Sequence, residues 1–181
     1  ASLSFDVFLH TASLLVILIF FRKQIKEVIR APFFPQSDSK DNWWWFIVIS
    51  NIFTAVIGYW LYQNIESFRS VASVSNWLFI TSILLFATKF SRGDKNITWK
   101  HAVALGIIQG FAVLPGLSRS GAVIALALAM KIKKTQAFNY GFIVAIPAML
   151  GSFLLTARGF QFEPIYILAF VVTFVIGYVS L

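Results

Sequence analysis

Long runs of apolar residues dominate this sequence of 181 residues. Five runs are long enough to cross the hydrocarbon core of a bilayer, which is about 30 Å thick and needs about 20 helical residues. They comprise Phe5 to Phe21, Trp43 to Tyr62, Val74 to Phe90, Ala137 to Ala157, and Pro164 to Leu181. Because backbone groups in lipid must find their hydrogen bonds within the segment, we expect an all-α, polytopic integral membrane protein.

The composition excludes other classes of protein. Hydrophobic residues make up 59% of the chain and charged residues 12%, whereas a soluble domain has about 25% charged residues. The net charge is +8, and the charged residues stand between the apolar runs. They therefore indicate the orientation of the protein in the membrane, and we expect no nucleic-acid partner. The absence of cysteine excludes disulfides and thiolate metal sites. The sequence starts without Met and stops within an apolar run, so we expect residues 1–181 to form one incomplete transmembrane domain.

Lysine and arginine residues alternate in number from loop to loop. Residues 22–42 contain five, residues 89–100 contain four and residues 131–134 contain three. Residues 63–73 and 158–163 contain one each. The positive-inside rule therefore predicts that the three loops rich in lysine and arginine, residues 22–42, 89–100 and 131–134, are cytoplasmic.

Residues 101–130 form an apolar segment that cannot cross the membrane as one helix. Two short runs, His101 to Leu114 and Ala122 to Met130, flank the sequence Pro-Gly-Leu-Ser-Arg-Ser-Gly of residues 115–121. Since the loops on both sides are predicted to be cytoplasmic, we expect a re-entrant helix-loop-helix. Fourteen helical residues cover about 21 Å, so its tip would lie beyond the midplane. Irregular backbone at that depth is tolerated only in a cavity or inside protein, which indicates a functional site.

Arg119 lies at the predicted tip, where an arginine costs about 2.5–3.5 kcal/mol to insert and is functional by default. Its neighbours are two hydroxyls, two glycines that allow close backbone approach, and a proline that ends the preceding helix: Ser118, Ser120, Gly116, Gly121 and Pro115. A serine before a helical run is also typical of an N-cap, which leaves backbone N–H groups open. A helix N-terminus beside a planar guanidinium is suited to phosphate.

A structural role for Arg119 is the alternative interpretation. The guanidinium could pair with a buried carboxylate or extend to the interface, and so lock the hairpin. None of the seven acidic residues lies in the middle of an apolar run, which leaves no obvious partner in this chain. Gln109, in the run before the tip, is expected to steady the hairpin through hydrogen bonds.

Three further patterns concern packing and the membrane interface. Small residues recur at a spacing of four in the second run and in the first half of the hairpin, namely Ser50, Thr54 and Gly58, and Gly106 and Gly110. Small residues at this spacing allow helices to approach closely. Pro147 is expected to kink the fourth run. Trp43 to Trp45 predict an interfacial aromatic belt.

The run from Gln109 to Gly121 resembles the second signature of the undecaprenyl pyrophosphate phosphatase family, the bacitracin-resistance type. The segments Phe5 to His10, Phe20 to Lys23 and Ala145 to Gly151 are also similar to family segments, and the resemblance extends over nearly all 181 residues. It implies an inverted-repeat fold in which each repeat has a re-entrant helical pair. It also implies hydrolysis of the terminal phosphate of a C55 lipid pyrophosphate, which regenerates the monophosphate carrier for bacterial cell-wall synthesis.

The resemblance implies roles for the residues of the tip. Arg119 would clamp the pyrophosphate, with Ser118 and Ser120 as catalytic phosphate contacts. Pro115, Gly116, Gly121 and Gln109 would bind the substrate. The family places glutamates before the equivalent of residue 1, and with them a divalent cation, Mg²⁺ or Ca²⁺, whose ligands are not in this chain. The 181 residues alone are therefore expected to bind the lipid pyrophosphate without hydrolysing it.

The resemblance also implies partners and a location. These are the polyprenyl pyrophosphate lipid, the membrane, and a second copy in a homodimer. The bacterial inner membrane is the expected location, with the site towards its outer face. Two alternatives stay open: an inverted-repeat transporter or flippase for a phosphorylated lipid or anion, whose broken helix would serve movement without hydrolysis, and a purely structural membrane subunit.

Overall fold

The computed structural model describes residues 3–33, 42–91, 93–156 and 164–180. Within these ranges the regular structure is helical, and the α-helices are α1 (Leu3–Phe20), α2 (Arg22–Arg30), α3 (Trp43–Tyr62), α4 (Val71–Thr88), α5 (Trp99–Phe111), α6 (Arg119–Ala129), α7 (Lys134–Ile143), α8 (Ala145–Thr156) and α9 (Ile165–Ser180). A 3₁₀ turn at Ile65–Phe68 lies between α3 and α4. The prediction of an all-α fold is therefore confirmed for the described part of the chain.

Among the described residues, three helical segments are long and apolar enough to cross a membrane: Trp43–Tyr62, Val71–Thr88 and Lys134–Leu154. They correspond to the second, third and fourth predicted runs. The first and fifth runs also form apolar helices. Their apolar segments Leu9–Phe20 and Ile165–Ser180 are shorter than the three spanning segments. The ends of the two last predicted runs, Ala157 and Leu181, lie outside the described residues.

The fourth run is interrupted at Val144, between α7 and α8. Pro147 has no N–H group and cannot bond back to the preceding turn, which explains why the helix breaks just before it. The carbonyl oxygen of Val144 accepts hydrogen bonds from Asn51 Nδ2 at 3.1 Å and from Gln109 Nε2 at 3.3 Å. The predicted kink is thus present, and side-chain amides from α3 and α5 bond the backbone at the break.

Helices α3 and α5 run side by side in the same direction along a seam of small residues. Ser50, Thr54 and Gly58 are buried on α3, and Thr54 Oγ1 donates to the Gly106 carbonyl oxygen at 3.1 Å. A methyl group at Gly106 would overlap the Ser50 backbone, and one at Gly110 would lie 2.7 Å from Ile57 Cβ. The predicted close approach of two helices is confirmed.

A buried polar contact ties this seam to α7. The Ser50 hydroxyl donates to the Ala102 carbonyl oxygen at 2.6 Å and lies 2.8 Å from the Tyr140 hydroxyl oxygen. Tyr140 is fully buried, and its ring meets Trp43 edge to face. Because an unpaired buried hydroxyl is costly, this contact holds α3, α5 and α7 in one register.

The two ends of the α5–α6 hairpin lie next to each other. Before α5, Lys95 N donates to the Lys131 carbonyl oxygen, and its own carbonyl accepts from Lys133 N, both at 2.9 Å. A methyl group at Gly93 would overlap the Ile132 carbonyl. The described parts of the basic loops 89–100 and 131–134 are therefore adjacent. Lys40, Arg92 and Arg158, which contributed to the loop counts, lie outside the described residues.

Candidate functional site

The tip of the hairpin is a short turn between two helices that are too short to cross a bilayer. Helix α5 has 13 residues and ends at Phe111, and α6 has 11 residues and begins at Arg119. Pro115 disfavours helical backbone at the residue before it, which keeps the turn open. The sequence placed the second helix from Ala122 onwards, whereas the structure begins it three residues earlier, so Arg119 belongs to its first turn.

Ser118 is the N-cap of α6 and explains this early start. Its backbone is extended, with φ −66° and ψ 114°, and its hydroxyl accepts a hydrogen bond from Gly121 N at 3.2 Å. This is the arrangement by which a serine satisfies one of the open amides of a helix. A methyl group at Gly121 would lie 2.8 Å from the same hydroxyl oxygen, so the glycine leaves room for the cap.

Thr81 of α4 holds the tip from the side. Its hydroxyl shares its hydrogen between the Trp77 carbonyl oxygen at 2.9 Å and the Gly116 carbonyl oxygen at 3.1 Å, and it accepts from Ser118 N at 3.2 Å. Thr81 is buried, and sequence reasoning missed it. The available signal was the pair of hydroxyls at Thr81 and Ser82 in the middle of an apolar run, which indicates hydrogen bonding but does not identify the partner.

Gly116 adopts a conformation that favours glycine, with φ +95°. A methyl group there would also lie 2.5 Å from the Val74 carbonyl oxygen on α4. A side chain at this position would therefore face both backbone strain and a steric clash. The glycine brings the tip against the first turns of α4.

The guanidinium of Arg119 has unsatisfied donors. Its Nε and Nη1 atoms are buried and have no hydrogen-bond partner in the described part of the protein. A carboxylate partner for these two atoms is thus absent among the described side chains of residues 9–33, 42–91, 93–154 and 164–180, which argues against the interpretation that Arg119 only locks the hairpin. Leaving buried charged donors unpaired costs more than about 1–3 kcal/mol, which indicates that an anion belongs here.

The first turn of α6 adds backbone donors beside this side chain. The amides of Ser118, Gly121 and Ala122 are bonded, to Thr81, to the Ser118 hydroxyl and to the Ser118 carbonyl. The amides of Arg119 and Ser120 occupy the first two helical positions, which have no partner within a helix. Ser120, half-buried, places its hydroxyl on the same turn. The side chain with the unsatisfied donors and the open amides of the helix N-terminus therefore belong to the same turn, and both favour an anion.

Gln109 lies on α5 below the turn and is fully buried. Its Nε2 atom bonds the Val144 carbonyl, as described above, and its Oε1 atom is buried without a partner among the described residues. The expectation that Gln109 steadies the hairpin is therefore confirmed by its bond to the α7–α8 break. Its carbonyl oxygen remains available to a donor.

Curated proteins similar to this chain share one activity in their names. "Undecaprenyl-diphosphatase 2" of Bacillus thuringiensis (strain Al Hakam) is 32% identical over 195 residues, which cover 98% of this chain and 72% of that protein. "Undecaprenyl-diphosphatase" of Methanobrevibacter smithii is 32% identical over 177 residues, which cover 87% of this chain and 64% of that protein. "Undecaprenyl-diphosphatase" of Clavibacter michiganensis subsp. michiganensis is 36% identical over 149 residues, which cover 76% of this chain and 55% of that protein.

The match to a protein family extends from the first residue to the last. Residues 1–181 match the family described as "Bacitracin resistance protein BacA". The hairpin tip that the structure builds from residues 112–118 lies within the motif on which the resemblance rested. The chain belongs to the bacitracin resistance protein BacA family.

Proposed function

We propose that this chain acts in the hydrolysis of undecaprenyl pyrophosphate to the monophosphate by a membrane phosphatase, and that the tip of the α5–α6 hairpin binds the pyrophosphate. The family and the names of the similar proteins support this reaction. No name among these similar proteins describes a transporter or a structural subunit, so nothing supports either alternative.

The unsatisfied guanidinium of Arg119 carries the proposal. A pyrophosphate offers several anionic oxygens, and a planar guanidinium can bind two of them at once. The amides of Arg119 and Ser120 and the hydroxyls of Ser118 and Ser120 lie on the same turn. Pro115, Gly116 and Gly121 shape the backbone around the headgroup, and Gln109 offers its unpaired Oε1.

These donors would act on the charge of the reacting phosphates. Hydrolysis cleaves the anhydride bond as water adds to the terminal phosphorus, and the lipid monophosphate leaves with the bridging oxygen. Donors that are already in place stabilise the charge that develops on the phosphate oxygens. We assign this binding and electrostatic role to the described residues, and we assign the general base to none of them.

The depth of the tip supports a re-entrant hairpin. Ser91 bonds the Leu128 carbonyl at the open end, and Gly116 approaches Val74 at the tip. Helix α4 begins at Val71, so the tip reaches the first turn of a helix long enough to span. From Thr88 to Val74 the distance along α4 is about 21 Å at about 1.5 Å per residue. The tip would therefore lie beyond the midplane.

The proposal includes an orientation and a wider architecture. Because the basic loops lie at the open end of the hairpin, the positive-inside rule puts that end in the cytoplasm and the tip towards the outer face. We assign the protein to the bacterial inner membrane and the hairpin to one half of an inverted repeat. A homodimer stays a prediction, which the mass of the detergent-solubilised protein would test.

A divalent cation does not fit the residues that the structure describes. Within residues 3–33, 42–91, 93–156 and 164–180, no group of three or more His, Cys, Asp or Glu side chains comes together. Mg²⁺ and Ca²⁺ prefer several oxygen ligands, and a single Gln109 oxygen is not such a set. We therefore derive no step of the reaction through a cation, although the family resemblance implies one.

The proposal is tested by removing the guanidinium from the protein as its gene encodes it. We expect Arg119→Ala to lower phosphate release from a long-chain prenyl pyrophosphate by about 100-fold or more, the usual effect of losing one oxyanion donor. Arg119→Lys should retain part of the activity, because lysine keeps the charge but cannot bind two oxygens. Lys100→Ala is the matched control, since Lys100 is an exposed cation at the other end of the hairpin. Unchanged activity in Arg119→Ala would refute the proposal.

A further inference from the structure

Helix α2 is a short amphipathic helix that sequence reasoning counted only as part of a basic loop. Its sequence, Arg-Lys-Gln-Ile-Lys-Glu-Val-Ile-Arg, contains four cationic residues and no buried side chain. Ile25 and Val28 pack partly against the core, whereas Ile29 is 62% exposed. One face of α2 is therefore anchored to the protein, and a second face, both cationic and apolar, is open.

A groove of about 310 Å³ lies along this open face. Its lining alternates cationic and apolar residues from the end of α1 to the end of α2, namely Leu18, Arg22, Ile25, Lys26, Ile29 and Arg30. The three cations are spaced by four residues, so they form a row on one side of the helix. No acidic residue belongs to the lining, and the groove combines a positive edge with an apolar floor.

The groove lies at the level where lipid headgroups are expected. Helix α2 follows the apolar helix α1 after a single residue, Phe21. Ile25 and Val28 pack against the cluster that contains Phe21 and Trp43. Trp43 begins α3, and Trp45, which is 53% exposed, is a residue type enriched at the boundary between hydrocarbon and headgroups. The apolar floor therefore continues into the membrane and the cations lie at its surface.

We propose that this groove binds one anionic phospholipid. The phosphate would lie across Arg22, Lys26 and Arg30, and the first part of an acyl chain would cover Ile25, Ile29 and Leu18. A free phosphate would use the cations but leave the apolar half of the groove exposed to water, whereas an anionic lipid satisfies both halves. The site is separate from the hairpin tip, and the inference does not depend on the proposed function.

The cationic half is tested by neutralising the row. The purified protein is exchanged into dioleoyl phosphatidylglycerol or dioleoyl phosphatidylcholine, and bound lipids are counted by native mass spectrometry. Each cation near a lipid surface contributes about fivefold to affinity, so we expect R22Q/K26Q/R30Q to reduce selective retention of phosphatidylglycerol at least tenfold. The control K89Q/K100Q/K134Q removes three cations from loops of the same predicted side that do not line the groove. Because salt screens such charges over about 8–10 Å, retention of the lipid in the groove should stay within about twofold of the parent.

The apolar half is tested by Ile29→Ser. We expect it to weaken phosphatidylglycerol binding about threefold, since a large aliphatic group is lost from the lining. The control is Val71→Ser, because Val71 is 85% exposed and lies outside the groove. Inorganic phosphate at millimolar concentration should not displace the lipid.

Three results would overturn the inference. They are full phosphatidylglycerol selectivity in R22Q/K26Q/R30Q, an equal loss in K89Q/K100Q/K134Q, and displacement of the lipid by phosphate, which would indicate a simple anion site. Equal melting temperatures of the variants and the parent exclude unfolding as the cause. If the triple variant is unstable, Lys26→Gln alone should still reduce the selectivity for phosphatidylglycerol about fivefold. An unchanged selectivity in Lys26→Gln would also refute the site.

Discussion

Arg119 is held in place by its neighbours while its own donors stay unsatisfied. Thr81 and Gly121 engage the N-cap Ser118 through its amide and its hydroxyl. These bonds fix the first turn of α6, so Arg119 starts from a rigid backbone. A binding group that is positioned before the ligand arrives loses little conformational freedom on binding. The residues that we propose bind the pyrophosphate therefore depend on Thr81, which does not need to touch it.

Replacement of Thr81 by valine tests this dependence. Thr81→Val keeps the size of the side chain but removes the acceptor of Ser118 N and the donor to Gly116, so we expect a loss of about 1–3 kcal/mol in unfolding free energy. We also expect lower phosphate release, whereas Thr81→Ser should retain most of both. The control is Ser82→Ala, because Ser82 is exposed and bonds only back to Leu78. Denaturant unfolding and a phosphate assay measure the two effects, and a Thr81→Val variant equal to the parent would contradict the assigned role.

At the scale of helices, the position of the hairpin is set by how closely α5 approaches α3. Glycines on α5 face the backbone and small residues of α3, and the Thr54 hydroxyl bonds the Gly106 carbonyl. In lipid, helices gain little from burying apolar surface, so packing of small residues contributes much of the association. The seam between α3 and α5 therefore decides where the tip of the hairpin lies.

Alanine substitution of glycines tests the seam. Gly106→Ala introduces a methyl group that overlaps the Ser50 backbone, and we expect a loss of about 1–3 kcal/mol from overpacking. Gly151→Ala is the matched control, since nothing lies within 4 Å of a methyl group there and alanine favours a helix by up to about 1 kcal/mol. Thermal unfolding in detergent should place the two variants on opposite sides of the parent. A Gly106→Ala variant as stable as the parent would mean that α5 can move away from α3 without cost.

At the scale of the whole molecule, the two ends of the hairpin are proposed to face opposite sides of the membrane. The open end carries Lys95 and Lys133, joined by a backbone bond, and the tip lies near the turn between α3 and α4. This arrangement separates a basic cytoplasmic surface from a polar site near the outer face. It would place the headgroup of a lipid pyrophosphate near the outer face, at the level of the turn between α3 and α4.

Single cysteines can test this placement, because residues 1–181 contain none. We expect Ser120→Cys to react in intact cells with a thiol reagent that cannot cross membranes. Lys133→Cys should react only after the membrane is permeabilised, since we propose that it faces the cytoplasm. Mass spectrometry of the labelled protein gives the extent of each reaction. Labelling of both positions from the same side would contradict the re-entrant hairpin or its orientation.

The sequence by itself determined the features that depend on residues close together in the chain. Run lengths determined which segments are apolar helices, the spacing of small residues predicted the α3–α5 seam, and the Pro-Gly-x-Ser-Arg-Ser-Gly string marked the tip. Each of these follows from local backbone sterics or from the thickness of the membrane. The structure confirmed the helices and the close packing of α3 and α5, whereas the roles of the tip residues stay a proposal.

The tertiary structure decided which atoms meet across helices. Thr81 meets residues 116 and 118, and Asn51 and Gln109 both meet Val144, and no local pattern specifies such pairs. The unpaired Nε and Nη1 atoms of Arg119 likewise become apparent only when the surrounding helices are in place. The physical reason is that a buried polar atom is satisfied or left unsatisfied by the neighbours that packing brings to it, and those neighbours are distant in the chain.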